Sequence, residues 1–217
     1  MSDASGPYGD VKRAKVGAGE LRQHDVYMLD QRRTLVMGVA LGPPRLWNYL
    51  LEVAMLGFVE GYEQPNDGRA CTRLNQGLRA AQQRLRARAE ALLERRMPDV
   101  GLLALGLEGS ELHVVSAGPL RAYLRGKRAS RRLGPDAEST AGVLKGVSSW
   151  SSEQVTPGDL LFAGSLTACT ESAVAELDRT LDGERALATE EVVALLNRIP
   201  TANGAAALAV AMRVPER

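Results

Sequence analysis

A chain of 217 residues with 27 Lys and Arg against 26 Asp and Glu is long enough to bury an ordinary core, and its balance gives no pull toward nucleic acid, a membrane or an acidic substrate. The opening residues are polar, and no run of about 18 apolar residues follows, which argues against a signal peptide or a spanning helix and predicts a cytoplasmic protein. Cys71 and Cys169 have no CxxC partner, which excludes a zinc ribbon or redox motif and predicts two buried thiols.

Residues 1–15 are rich in Ser, Asp, Gly and Lys with little apolar periodicity, and they read as a flexible leader before one domain over 16–217. Val26–Leu29 and Leu35–Ala40, separated by the charged segment Asp30–Arg33, predict a hairpin. Trp47–Tyr62 has apolar residues at helical spacing behind Pro44, and Arg69–Arg96 repeats the pattern with the seam Leu74, Leu78, Ala81 and Leu85. From Val100 the period shortens. Val100–Leu107, Glu111–Ser116 and Leu120–Arg125 predict an antiparallel meander, the third strand half-buried with Arg121, Tyr123 and Arg125 on its outer side. Pro135–Trp150 is irregular, and Thr156-Pro157-Gly158 predicts a hairpin turn between Glu153–Val155 and Asp159–Ala163. Helices follow over Thr170–Leu181 and Thr189–Asn197, then a last strand over Ala205–Val214. Strand runs and helix pairs that do not alternate singly predict an α+β layered domain, two sheets between helix pairs.

Two stretches carry a resemblance. Leu112–Leu124 (LHVVSAGPLRAYL) is similar to the strand, Gly-Asp-Ser-Arg turn and strand of the type 2C metal-dependent serine/threonine phosphatases, and Val155–Thr167 (VTPGDLLFAGSLT) to their hairpin ending in Ser-Asp-Gly-Leu. With the element order, the resemblance covers roughly residues 18 to 214, is closest in style to the short bacterial stress and sporulation phosphatases, and implies a four-layer α-β-β-α sandwich of two antiparallel sheets flanked by helix pairs. In that family carboxylates converge on two divalent cations that activate a water. Asp25 matches one such aspartate, whereas Leu41, Gly164 and Ala202 stand where three others belong. Glu20 stands where a phosphate-contacting arginine is expected, and Asp30, Asp99, Asp136 and Asp159 fall at other places relative to the strands.

One carboxylate does not hold a two-metal clamp, so the resemblance implies a protein that is not an enzyme, with no cofactor and no catalytic or metal-binding set. The expected function is a binding or regulatory module in bacterial Ser/Thr phosphorylation signalling, its partner a protein such as a Ser/Thr kinase or phosphoprotein, with neither nucleic acid nor membrane involved. Trp47, Arg121 and Trp150 are the expected partner-binding residues, aromatic and arginine side chains at the edge of a former catalytic face. The alternatives are an active phosphatase with atypical metal ligands and an unrelated α+β domain. No Gly-x-Ser-x-Gly elbow accompanies His24 or His113, no Walker lysine follows a glycine loop, and the arginines of the second helix lack the interleaved aromatics of a nucleic-acid surface.

Overall fold

The computed structural model describes residues 12–16, 23–30, 33–92, 98–126, 129–134, 141–146, 148–166, 169–180 and 207–214. In chain order these form β1 (Lys12–Val16), β2 (His24–Leu29), β3 (Thr34–Leu41), α1 (Trp47–Tyr62), α2 (Ala70–Ala89), β4 (Asp99–Glu108), β5 (Glu111–Ala117), β6 (Leu120–Arg125), β7 (Ser130–Leu133), β8 (Ser149–Gln154), β9 (Leu160–Ser165), α3 (Glu171–Thr180) and β10 (Ala207–Arg213). The strands make two antiparallel five-stranded sheets, ordered β2-β3-β4-β5-β8 and β1-β10-β9-β6-β7. The expected α+β class with two antiparallel sheets holds. By contacts the chain divides into two compact units: Arg22–Leu120 with Gly134–Glu153, and Met1–Leu21 with Arg121–Leu133 and Gln154–Arg217.

In the first unit the β2–β3 hairpin turns where expected. Asp30 adopts φ 51°, a left-handed conformation that Asp tolerates, and its carbonyl accepts the Arg33 amide at 2.9 Å. Pro43 and Pro44 start a short 3-10 turn that leads into α1, because the first helical N–H groups need no partner. A turn closed by the Gly68 amide on Asn66 Oδ1 (2.8 Å) delivers α2, whose first amide, on Ala70, donates to Glu108 Oε2 at 3.0 Å. The two helices touch through glycine: a Cβ on Gly61 would lie 2.5 Å from that of Ala80, and one on Gly77 2.9 Å from the Phe58 ring. Phe58, Leu50, Met55, Leu74 and Leu85 from this pair bury themselves against Val36, Ala40, Leu102, Ala104 and Val115 of β3, β4 and β5. Each fully buried side chain of this size contributes about 2 to 3 kcal/mol.

The second unit corrects several expectations. β6 is not the third strand of a meander: at Gly118-Pro119 the chain leaves one sheet for the other, where β6 lies between β9 and β7. Gly118, at φ 109°, sits so close to Gly101 that a Cβ would lie 2.6 Å from its Cα, so this exit requires glycine. Nor is β6 half-buried, since all six residues are covered. Its polar side chains find partners inside, as described below. The Thr156-Pro157-Gly158 turn forms, with the Asp159 amide donating to the Thr156 carbonyl at 3.0 Å, but the strands it joins, β8 and β9, belong to different sheets. Lys12–Val16, which overlaps the end of the leader expected over 1–15, is a strand paired along its length with β10, because backbone pairing overrides side-chain composition. β7 has no counterpart in the sequence reading. The helix expected over residues 189–197 lies outside the described residues, whereas α3 matches its expected range closely.

Candidate functional site

The β2–β3 end of the first sheet is where the resemblance puts metal ligands, and the pairing register decides what each side chain there can reach. Asp25 pairs with Gly38, and a Cβ on Gly38 would point at Leu51 and Met55 of α1, so Asp25 shares the helix-covered face. Its carboxylate accepts the Val26 amide at 2.8 Å and a hydrogen bond from Tyr27, whose hydroxyl pKa is raised by burial first and by Asp25 and Glu52 of α1 after it. Leu41 pairs with Asp99, three residues beyond Gly38 and hence on the opposite face. Asp25 and Leu41 therefore do not converge, since successive side chains point to opposite sides of a strand.

On Leu41's face stand His24, paired with Val39, and Asp99. Both His24 ring nitrogens are buried without a hydrogen-bond partner, and burial lowers the imidazole pKa to about 4, which keeps it neutral. Asp99 is 3% exposed, and backbone amides hold its carboxylate: Val100 (2.8 Å) and Leu144 (2.9 Å) donate to Oδ1, and Lys145 (3.2 Å) to Oδ2. Its task is to fasten the loop over residues 141–146 to the start of β4. Sequence reasoning set Asp99 aside as misplaced for a metal, and no spacing marks this role.

The three residues expected to bind a partner are used differently. Trp47 is half-buried at the start of α1, packs on the helix-side core, and donates its indole N–H to the Gly42 carbonyl at 3.0 Å, closing the loop after β3. Trp150 is not in an irregular segment: it lies on the edge strand β8, is 53% exposed, and stacks on His113 with ring centroids 6.5 Å apart. Three strand spacings, roughly 14 Å, separate β8 from β3, so the two tryptophans do not rim one basin. Arg121, expected at the surface, is 5% exposed in the second unit, where its guanidinium donates to the Cys169 carbonyl at 3.2 Å. Tyr123 donates to the same carbonyl at 3.4 Å and stacks on Phe162. Burial pushes the Cys169 thiol up to about 12, despite the nearby Arg121 charge. Arg125 pairs with Asp178 of α3, which also accepts the Ser130 amide and hydroxyl. Gly164 lies in buried β9 opposite Ala209, and Ala202 lies outside the described residues.

A divalent-metal pair does not fit the donors described. Leu41 and Gly164 offer no oxygen side chain, Asp25 is on the other face from Leu41, and the Asp99 carboxylate is taken by three amides. Among the described residues no group of three or more His, Cys, Asp or Glu could hold a metal ion.

No family model matches the sequence, and no curated protein does. Solved structures do. The catalytic domain of the serine/threonine protein phosphatase PstP in complex with two manganese ions has a TM-score of 0.68 at 15% identity over 95% of this chain and 99% of that one. PppA, a regulatory component of the type VI secretion system in Pseudomonas aeruginosa, has 0.68 at 17% over 95% and 98%. The PP2C phosphatase domain and regulatory fragment of SpoIIE from Bacillus subtilis has 0.63 at 13% over 97% and 63%. These neighbours overturn the expectation that the protein is not an enzyme: structures with its fold are serine/threonine phosphatases, and substitutions at three aligned positions do not establish inactivity. Among the described residues no helix is long and apolar enough to cross a membrane. The chain has the fold of the type 2C serine/threonine phosphatases.

Proposed function

We propose that the protein acts in bacterial Ser/Thr phosphorylation signalling, in the cytoplasm, as a phosphatase-fold regulator that binds a protein partner, a Ser/Thr kinase or a phosphoprotein, and neither nucleic acid nor membrane. One observation carries the reading. At the end of β3, where the resemblance places a bridging carboxylate, the chain presents the partly exposed Leu41 followed by a loop closed by Trp47 on Gly42. A partly apolar patch of this kind, with the exposed Arg45 at its rim, is what protein interfaces use at their centres. The test is capture of Ser/Thr kinases and phosphoproteins from the native host by the full chain and by Leu41→Arg. Loss of capture by a folded Leu41→Arg supports the proposal, and undiminished capture overturns it.

A second reading, a metal-dependent phosphatase with its own ligand set, is favoured by the activity of the proteins that share the fold. Calorimetric titration with manganese, beside turnover of a chromogenic phosphate ester, separates the two. Two-ion binding with turnover abolished by Asp25→Ala establishes the second reading.

A further inference from the structure

The two helices of the first unit divide charge between them. α1 carries Glu52 and Glu60 and no Lys or Arg; α2 carries Arg73, Arg79, Arg84, Arg86 and Arg88 and no Asp or Glu. Within the unit only part of this charge is matched: Arg84 pairs with Glu60 and Arg73 with Asp30 at 2.9 Å. Arg79, Arg86 and Arg88 are exposed and make no ion pair among the described residues, and Glu52 is exposed on α1, within electrostatic reach of Arg84 and Tyr27. The same outward face holds two of the three large apolar side chains exposed among the described residues, Tyr49 (39%) and Leu56 (38%).

The glycine contacts fix how the helices are aligned. Gly57 meets Ala81 and Arg84, and Gly61 meets Gln76 and Ala80, so the antiparallel pair sets Glu60 level with Arg79, Leu56 level with Gln83, and Glu52 level with Arg86 and Arg88. A two-fold axis lying on this face and parallel to the helices would lay α1 of one copy over α2 of the other without changing those levels. Each Glu52 then meets an Arg86, each Glu60 comes beside an Arg79, Leu56 closes the middle, and Tyr49 covers the end beyond Glu52. Such a contact is self-complementary, as a two-fold interface must be.

We infer that this helix face binds a second copy of the chain. Among the charge distributions in this unit, the one that complements the arginine stripe of α2 is the acidic stripe of α1, and the pair's geometry brings the two into register across the axis. The area sets the strength. α1, with 16 residues, is about 24 Å long and the pair about 20 Å wide, giving roughly 1,000 Å² over both copies, at the lower limit for a specific interface. The dimer is therefore weak, and strengthened by low salt.

Sedimentation of the full chain at concentrations on the order of 10 to 500 μM measures it. The expected result is concentration-dependent dimerisation, weakened about tenfold when salt rises from low to roughly 0.5 M. Glu52→Arg and Arg86→Glu should each be monomeric, because each sets like charges against each other twice. Mixed in equal amounts, the two variants should form a heterodimer, since every facing pair is again opposite in sign. Both positions are exposed, and circular dichroism checks that both variants are folded. A wild-type chain that stays monomeric at the highest concentration overturns the inference. So do single variants that dimerise like wild type, or folded variants that fail to associate when mixed.

Discussion

The two units are held together by different physics. In the first, α1 and α2 press apolar side chains onto β3, β4 and β5, with glycines where the helices meet. In the second, the buried arginines on β6 meet a carbonyl and a carboxylate on α3. The first arrangement depends on shape and fails when volume changes. The second depends on partners being present and fails when one of two matched groups is removed, because the other is left charged and covered.

Four measurements test this contrast, taken from the largest expected effect. Phe58→Ala, which empties a fully buried site, should lower stability by about 4 kcal/mol in urea unfolding. Asp178→Ala should cost about 3 kcal/mol by leaving Arg125 without its carboxylate, whereas the double change Arg125→Met with Asp178→Leu should recover much of it. If the double variant is no better than Asp178→Ala, the charge-matching account of the second unit is wrong. Acid tests the first unit: because the folded pKa of His24 is about 4, below its ordinary 6.5, the unfolded chain binds the extra proton between those values. The contribution is complete above about pH 6.5 and is lost as pH falls toward about 4, on the order of 3 kcal/mol in all. His24→Phe should flatten that part of the stability curve, and an unchanged slope would remove His24 from the account. Gly61→Ala, which forces a Cβ into Ala80, should cost about 2 kcal/mol by overpacking, with Gly68→Ala as a comparison strained by its φ of 79° alone.

The contrast also explains what could be read from the residues. Trp47–Tyr62 and the first twenty residues of the second helix were legible because apolar burial repeats every three to four positions. The β2–β3 hairpin was legible through its charged turn. The assignment of β6 was not, since alternation shows that a strand exists and says nothing of which sheet receives it. Arg121, Tyr123 and Arg125 read as an outward face because charged groups usually are, and their partners, the buried Cys169 carbonyl and the part-buried Asp178, lie 46 to 53 residues away. At the candidate site, Leu41 and Gly164 were legible as side chains that offer no metal ligand. That Asp25 faces α1 depends on register, which a match to a motif does not report.

The pairing of β1 with β10 has a consequence for how the molecule is made. Lys12 lies beside Ala211, so strands about 200 residues apart in the chain are neighbours in one sheet, and β10 is the strand that links β1 to β9. During synthesis the segment Lys12–Val16 emerges early and has no partner until β10 has been translated. The strands and helices of the first unit all lie before β9 and β10 in the chain, so their pairing can begin while β10 is still untranslated. A ribosome stalled before Ala207 would therefore carry a second sheet that lacks β10, with β1 and an edge of β9 exposed to chaperones or to neighbouring chains.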